Sequence, residues 1–463
     1  MHFRGYLPQV GCINRLFVCV FLLLWSTGCT PPTSQLKKTQ IKSDQATIVT
    51  FTDLRGTLKP CGCSPDLRKG GVDRIAHHVD GIRESTPDAL VLHAGNLLLD
   101  DEGIPKERKE QVALRTKTLA ASLKVIGIAA ATLGEHDLAQ GLDWLTEKLT
   151  DIDMPIVATN VEGPQWAAMS KPYFLLRSGP VRVGVIGLLP PGPQVTNALE
   201  AATRACAKLR EMGADVIVAL SSLGLRYGKK LMRKKVDIDL IVAAGQTLKS
   251  LVSSEIESIG QGQLIQSHVQ GGHIGVTTVH LPKKPNTTPK FAYQLTSLDW
   301  KRPSHEGVKT LMTNYDKALK TINLKSAGTL PELKPGQASY VGVDACLECH
   351  EEVQRFWKRD KHSHAWETLV KDGKTFDLEC VSCHTTGYGI AGGSILGALK
   401  NLTDVQCEVC HGPGSIHAED GEAASISKTP KESLCVTCHN PKHSTRFKFK
   451  TYRKRLIVPG HGR

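Results

Sequence analysis

The chain has 463 residues, too many for a single small domain and enough for two or three domains, each with its own core. Its formal net charge of +13, taken alone, would indicate an anionic partner such as a nucleic acid. The 14 cysteines are not spread evenly, because eight of them lie in the last quarter of the chain. The charge therefore has to be judged together with what those cysteines bind.

Residues 1–28 have the pattern of a secretory signal peptide. Two arginines precede an apolar run, residues 16–25, that is too short to span a bilayer as a mature helix. The run is followed by Ser-Thr-Gly and then Cys29, which is similar to a lipoprotein processing site. We expect Cys29 to become a lipidated N-terminus that attaches the protein to a membrane. The alternative is an ordinary cleaved leader, and both patterns predict export to the periplasm or the cell surface.

Residues 29–45 contain prolines, serines and lysines and predict a tether. From residue 46 onwards, short apolar runs alternate with amphipathic stretches. The predicted strands are residues 47–52, 89–94, 128–133, 156–160, 181–188, 216–220 and 240–244, and residues 264–281 are more β-like. The predicted helices are residues 109–125, 138–149, 195–212 and 227–235. The alternation predicts an α/β layered domain over residues 46–300.

The turns after the predicted strands carry polar residues in a fixed order. They read Asp53-Leu-Arg55, Gly95-Asn96, Gly134-Glu135-His136-Asp137, Ser221-Ser222-Leu223-Gly224 and Gly245-Gln246-Thr247-Leu248. In this order and spacing, the region resembles the calcineurin-like metallophosphoesterases, and especially their periplasmic 5′-nucleotidase branch. The resemblance implies an α/β layered sandwich with a cleft at these turns.

That family holds two metals in the cleft, and this chain departs from its ligand pattern. Asp53 and His136 match, but other ligand positions hold residues that coordinate metals poorly or not at all. These are Arg55, Asn96, Glu135, Ser222, Gln246 and Leu248. A two-metal site clamps the attacking and leaving oxygens between cations, so it needs most of its carboxylate and imidazole ligands. We expect the domain to have lost its metals and its hydrolase activity, and a phosphoesterase or nucleotidase with an altered metal site is an alternative.

Three further cysteines lie in the middle of the chain. Cys61-Gly-Cys63 follows the first turn and is either a local disulfide or inert thiols, or a redox-active or metal-binding pair beside the cleft. Cys206 lies among alanines and leucines in a predicted helix, which favours a buried structural thiol. Residues 301–340, with a helical stretch at 306–319 and a segment with proline and glycine at 331–336, predict a connector.

Residues 341–463 contain four copies of Cys-x-x-Cys-His. They are Cys346-Leu-Glu-Cys349-His350, Cys380-Val-Ser-Cys383-His384, Cys407-Glu-Val-Cys410-His411 and Cys435-Val-Thr-Cys438-His439. Two thiols at this spacing reach the two vinyl groups of one haem, and the histidine places an imidazole under the iron. Chance would supply roughly 0.02 such patterns. Zinc knuckles are the alternative, but zinc needs no histidine after every second cysteine. The motifs predict four covalently bound haem c groups and a mainly α, haem-packed module with no second metal.

Each motif supplies one axial ligand, and the same region holds five more histidines. They are His362, His364, His417, His443 and His461. Five candidates for four positions suffice to make every haem six-coordinate, which favours electron transfer because catalysis at iron needs a vacant position. The main interpretation is therefore an electron carrier that exchanges electrons with redox partner proteins.

The third motif continues as Gly-Pro-Gly, and the chain closes with Phe447-Lys-Phe449 and a late histidine. This pattern resembles the tetrahaem cytochromes c linked to hydroxylamine oxidation. In that family distal histidines come from such places, and one haem can lack a distal ligand. The resemblance favours His362 or His364, His417 and His461 as distal ligands, with His443 as a further candidate. It also leaves open an oxidoreductase that acts on a small nitrogen or sulfur species at a five-coordinate haem.

The haems also change the meaning of the net charge. Four haems bring eight propionates, or about −8 if all are ionised, so the complete protein is only mildly basic and no nucleic-acid partner is expected. The basic residues of the tail are either a solvated face or a surface that pairs with propionates or docks an acidic redox partner. They are Lys442, Arg446, Lys448, Lys450, Arg453, Lys454, Arg455 and Arg463.

Overall fold

The computed structural model describes residues 44–60, 68–100, 103–245, 253–283, 287–325, 327–440, 443–444, 446–457 and 461. All of these belong to one compact unit, Ile41–Arg463. The predicted signal peptide, Cys29 and nearly all of the tether lie outside the described residues, as do Cys61, Cys63, Gln246 and Leu248. Within the described residues, no helix has the length and the apolar character needed to cross a membrane.

The first part of the chain alternates strands and helices. Its strands are β1 (Gln45–Thr52), β2 (Leu90–Ala94), β3 (Ile128–Ala131), β4 (Tyr173–Ser178), β5 (Val181–Leu188), β6 (Val216–Ser221), β7 (Leu240–Ala243), β8 (Glu257–Ile259), β9 (Gly262–Gln266), β10 (His273–His280) and β11 (Lys290–Ser297). Its helices are α1 (Val72–Ser85), α2 (Lys109–Ile126), α3 (Glu135–Leu138), α4 (Leu142–Ile152), α5 (Pro164–Met169), α6 (Ala198–Glu211), α7 (Gly224–Arg233) and α8 (Glu306–Lys325).

The second part is helical and built from short elements. They are α9 (Val343–Cys349), α10 (Glu351–Trp357), α11 (Ala365–Asp372), α12 (Leu378–Val381), α13 (Cys407–His411), α14 (Ser415–Asp420), α15 (Glu432–Cys438) and α16 (Phe449–Leu456). The longest of these helices have only 8 residues, which is too short to be stable without tertiary contacts.

The strands form two mixed sheets. One has the order β11-β10-β1-β2-β3, and the other has the order β4-β5-β6-β7-β9-β8. In the first sheet β1 is parallel to β2 and antiparallel to β10. In the second sheet β5, β6, β7 and β9 run parallel to one another. The parallel pairs bring the ends of several strands, and the turns that follow them, to the same edge.

The two sheets pack face to face, and helices cover both outer faces. Ile48 of β1 packs with Val183 of β5 and Val218 of β6 in the layer between the sheets. Its neighbour Val49 points the other way, into a core shared with α1, α2, α4 and α8. The outer face of the second sheet packs on α6 and α7, where Cys206 is buried as predicted, and burial raises the pKa of its thiol to about 12. The predicted α/β layered sandwich is confirmed as α/β/β/α.

Some predicted elements differ from the observed ones. Residues 156–160 form only isolated bridges, Ala131 with Ile156 and Val157 with Lys171, rather than a strand. Residues 156–160 are apolar because the segment is buried. A buried apolar segment need not pair with a neighbouring strand, so the apolar pattern alone overpredicted a strand here. The predicted helix 138–149 corresponds to α4, which begins only at Leu142 because Gly141, with a φ of 84°, precedes it. The sequence did not predict helices α1, α3 and α5 or strands β4, β8 and β11.

The helical part of the expected connector is longer than predicted and packs on the sandwich. Helix α8 buries Val308, Met312 and Tyr315 in the core that it shares with α1 and α2. The C-terminal part, in contrast, has a small apolar cluster of its own, built around Leu369, Leu378, Val381 and Leu396. A cluster built around four buried apolar side chains is small for a region of 123 residues. The small cluster agrees with the prediction that haem groups provide the rest of the apolar interior.

The packing of α8 predicts how single substitutions affect stability. Replacing Met312, which is 5% exposed, with alanine removes buried methylene groups and leaves a cavity, so we expect the free energy of unfolding to fall by about 3 kcal/mol. Lys317→Ala, on the exposed face of the same helix, should change it by less than about 0.5 kcal/mol. Denaturant unfolding followed by circular dichroism compares the two, and equal stabilities would contradict the packing of α8 as a core helix.

Candidate haem centres

Each Cys-x-x-Cys-His motif includes a single short helical turn. The cysteine pairs lie on α9, α12 and the residues after it, α13 and α15, and the histidine closes or follows the turn. Residues three apart in a helix are neighbours on one face, about 5–6 Å apart between their Cβ atoms. Both thiols of a motif therefore point to the same side, as attachment to one macrocycle requires.

Three motif histidines have a second histidine ring close to them. The ring centres are 6.3 Å apart for His350 and His417, 6.0 Å for His411 and His461, and 6.1 Å for His439 and His362. Two imidazole nitrogens that each bind one metal ion at about 2.0 Å place their ring centres about 6 Å apart. The three pairs thus have the separation of two axial ligands on one iron, and the residues fit the haem groups.

Hydrogen bonds to Nδ1 leave Nε2 of these rings for a metal. The Nδ1 atoms of His411, His417 and His461 lie 2.7, 2.9 and 2.6 Å from the carbonyl oxygens of Ser427, Glu422 and Leu456. Nδ1 of His362 is 2.8 Å from the carboxylate of Asp360, and this hydrogen bond lowers the pKa of Asp360. Such partners fix the tautomer and the orientation of metal-binding histidines.

His384, in the second motif, differs from the other three motif histidines. Its Nδ1 is 2.6 Å from the carbonyl oxygen of Ala365 and 3.3 Å from Oγ1 of Thr368. Over the part of the chain that the structure describes, no histidine ring faces it at the separation of the three pairs. The second motif therefore has one imidazole in place, where the other three have two.

The other two candidate distal histidines occupy different surroundings. His364 has Nε2 3.2 Å from the carbonyl oxygen of Lys358 and Nδ1 3.6 Å from the carboxylate of Glu367, so both ring nitrogens face its own segment. Of the pair His362 and His364, it is therefore His362 that meets a motif histidine. His443 lies in the turn after the fourth motif, where its main-chain N–H donates to the carbonyl of Asn440 at 3.2 Å.

Contacts between thiols show which motifs are neighbours. The Cys346 thiol lies close to that of Cys407, and the Cys383 thiol lies close to that of Cys438. The proximity of the two thiols in each pair raises the pKa of Cys346 and Cys383 and lowers that of Cys407 and Cys438, the last to about 6. Cys410 lies near the thiols of the fourth motif, which add to the effect of burial in raising its pKa. The motifs are thus adjacent in the order first, third, fourth, second.

The turns of the sandwich come together in a cleft as the resemblance implies. Asp53 is fully buried, and its Oδ1 accepts from the main-chain and side-chain nitrogens of Asn96 at 3.1 and 3.2 Å. Its Oδ2 accepts from the N–H of Gly245 at 2.8 Å. Asn96 Oδ1 in turn accepts from the N–H of His136 at 2.8 Å. Asp53 therefore joins three turns through its carboxylate.

Other polar residues of these turns also form hydrogen bonds and ion pairs within the sandwich. Arg55 reaches Asp100 at 3.4 Å, and Ser222 donates to the carbonyl of Leu133 at 2.6 Å. Asp137 accepts from four main-chain N–H groups, and burial raises its pKa. Within the described ranges, no group of three or more His, Cys, Asp and Glu side chains could hold a metal ion.

The C-terminal region matches a known family. The family model described as cytochrome c554 and c-prime matches residues 345–412. Cytochrome c-554 of Nitrosomonas europaea is 32% identical over 136 residues, which are 22% of this chain and 58% of that protein.

The N-terminal region matches other proteins. The trifunctional nucleotide phosphoesterase protein YfkN of Bacillus subtilis is 29% identical over 245 residues, 47% of this chain and 17% of that protein. The crystal structure of a 5′-nucleotidase precursor from Thermus thermophilus has a TM-score of 0.50 and 22% identity, covering 60% of this chain and 59% of that one.

The matched part is less than two thirds of each of these proteins, and the likeness to the solved structure concerns the fold alone. Both resemblances predicted from the sequence are confirmed. The chain combines a region similar to the cytochrome c554 and c-prime family with a region that has the fold of the 5′-nucleotidases.

Proposed function

We propose that the protein is an electron carrier that holds four haem c groups in its C-terminal region and exchanges electrons with redox partner proteins. The observation that carries this proposal is the set of three histidine pairs with ring centres 6.0 to 6.3 Å apart. When bound, each haem supplies an iron that takes up and releases one electron. The residues of the chain hold, orient and separate these irons.

The axial ligands follow from the pairs. His350 with His417, His411 with His461, and His439 with His362 would each enclose one iron, leaving no vacant position for a substrate. The ring of His362 is held by Asp360, and burial lowers the pKa of His439, which favours the neutral imidazole that binds metals. These residues therefore suit electron transfer.

The order of the motifs supports a path through the region. The first motif contacts the third and the second contacts the fourth, while Cys410 of the third lies near the fourth. Electrons that enter at one end of this series would pass between neighbouring centres without leaving the protein.

For the sandwich we propose that hydrolysis and metal binding have been lost. Both oxygens of the Asp53 carboxylate already accept hydrogen bonds from N–H donors, and Arg55 and Asn96 stand at ligand positions. A guanidinium opposes bound cations, and a neutral amide bridges two metals poorly. The domain serves instead as a support for the haem region.

For location we propose export to the periplasm or the cell surface with a lipid anchor at Cys29. The apolar segment before Cys29 and the four haem-attachment motifs, whose haems are joined outside the cytoplasm, support it. Mass spectrometry of the mature N-terminus checks the anchor, and an unmodified terminus would reject it.

A second candidate function rests on His384. Because no histidine ring faces it among the described residues, its iron would keep one position for a small nitrogen or sulfur species. Such an oxidoreductase would bind carbon monoxide at one haem of the reduced protein. A protein that binds none is an electron carrier only.

The histidine pairs predict the effect of removing one distal ligand. His417→Ala should leave His350 as the sole imidazole of its iron, adding one high-spin haem to the EPR spectrum and one carbon monoxide site to the reduced protein. His364→Ala, whose ring nitrogens both face its own segment, is the matched control and should leave both readouts unchanged. A high-spin signal gained in the control and not in His417→Ala would contradict the assignment.

The cleft predicts the absence of turnover. Purified protein incubated with nucleotides and Mn²⁺ should release no phosphate above background, because the Asp53 carboxylate is engaged by N–H donors. Metal analysis of the same sample should find four iron atoms per chain and no second metal. Phosphate release that Asp53→Ala abolishes would show an active hydrolase instead.

A further inference from the structure

Two helices of the sandwich meet the second haem motif directly. Helix α12, which carries Cys380, lies against α2 and the C-terminal end of α8 through polar side chains that are almost completely buried. Buried polar groups are costly unless they are hydrogen-bonded, so a matched set of them specifies one arrangement of the two parts.

The centre of this contact is an amide bridge. Gln111 of α2 and Asn323 of α8 are each 1% exposed, and Asn323 donates to Oε1 of Gln111 at 2.9 Å. Gln111 donates to Asp377 at 2.7 Å and accepts from the N–H of Leu378 at 3.2 Å. Asp377 is the N-cap of α12, because it accepts from the N–H of Glu379 at 3.0 Å. The sandwich therefore fixes the position of the N-terminal end of α12, the helix that carries Cys380.

A charged cluster lies beside the bridge. Glu379, the residue before Cys380, accepts from Arg108 at 3.1 Å and from Arg115 at 2.7 and 2.8 Å. The side chains of Arg115 and Glu379 are only 12% and 21% exposed, so solvent screens them weakly. Asp377 adds a second carboxylate, which lies 3.4 Å from Lys374 and also acts on Arg115. Three cations against two carboxylates leave a net positive charge next to the first haem-attachment cysteine of this motif.

The cluster also reaches the cleft of the sandwich. A Cβ atom added to Gly56, in the turn that carries Asp53 and Arg55, would lie 3.2 Å from Nε of Arg115. Arg115 thus fills the space between that turn and α12. In the third motif the corresponding residue, Gln406, instead accepts from Val343 and donates to Asn401 and Thr403 of the haem region itself.

We propose that Arg108, Arg115, Glu379 and the Gln111 bridge are positioning residues through which the sandwich holds the second motif and raises the reduction potential of the iron at His384. The inference rests on the haem-binding function proposed above. The arginines favour the reduced state because reduction removes one positive charge from their neighbourhood, and the weakly screened site makes that interaction strong. Glu379 opposes them in part.

The test uses the full-length protein with its haems and measures the four midpoint potentials by spectroelectrochemical titration. Glu379→Gln removes the carboxylate and should raise one potential, whereas Arg115→Gln removes a guanidinium and should lower that same potential. The double variant and Arg115→Lys, which restore the balance of charge, should bring it back towards the wild-type value. The potential concerned should be the one missing from a Cys380→Ser, Cys383→Ser variant.

The control is Arg210→Gln, which removes an arginine that pairs with Asp237 at 2.9 Å and Asp239 at 2.7 Å inside the sandwich. All four potentials should stay unchanged in it. Shifts of the same sign in Glu379→Gln and Arg115→Gln would overturn the proposal, and so would no shift in either. A pyridine haemochrome assay counts the haems and so distinguishes a failure of the proposed function from a failure of the proposed role of the arginines. Fewer than four haems in the wild-type protein would contradict the proposed function. Four haems whose potentials do not change in the variants would contradict only the role of the arginines.

Discussion

The C-terminal architecture depends on three histidine pairs whose ring centres lie 6.0 to 6.3 Å apart, the separation that two imidazoles bound to one iron through Nε2 would have. His362 stands in the 3₁₀ turn Lys361–His364, His417 in α14, and His461 beyond α16. None of these elements has more than a few buried apolar side chains. Each pairs with a motif histidine distant in sequence, so the proposed haems would couple their attachment to the folding of this region.

The hydrogen bonds of Asp53 give this residue a structural role in the cleft. The carboxylate of Asp53 joins Asn96 and Gly245, on the turns after β2 and β7, to the end of β1. Removing it would leave buried N–H groups without a partner, which costs about 1–3 kcal/mol for each group. Asp53 therefore has a structural reason to persist, and its presence says little about catalysis.

Local patterns predicted much of this molecule, and tertiary contacts decided the rest. The layered sandwich follows from apolar runs that are buried on both faces, as Ile48 and Val49 are. The four motifs follow from spacing alone. Spacing could not choose between His362 and His364, two residues apart in one turn, because the choice depends on which ring meets His439. It also could not assign α8 to the sandwich, because the contact of that helix with α2 joins residues about 200 positions apart, such as Gln111 and Asn323.

The second motif differs from the other three in its surroundings, and it connects the two parts of the chain. In three motifs the histidine faces a second histidine of the haem region. In the second motif no histidine ring faces His384 among the described residues, and this is the motif that the sandwich contacts through Gln111 and Arg115. A helix of four residues such as α12 is not stable by itself, so contacts with the sandwich determine its position and orientation. The centre proposed at His384, which no other histidine ring faces among the described residues, would thus take its rigidity and its local charge from the sandwich. With the proposed haems in place, this contact would give the sandwich a physical role in electron transfer.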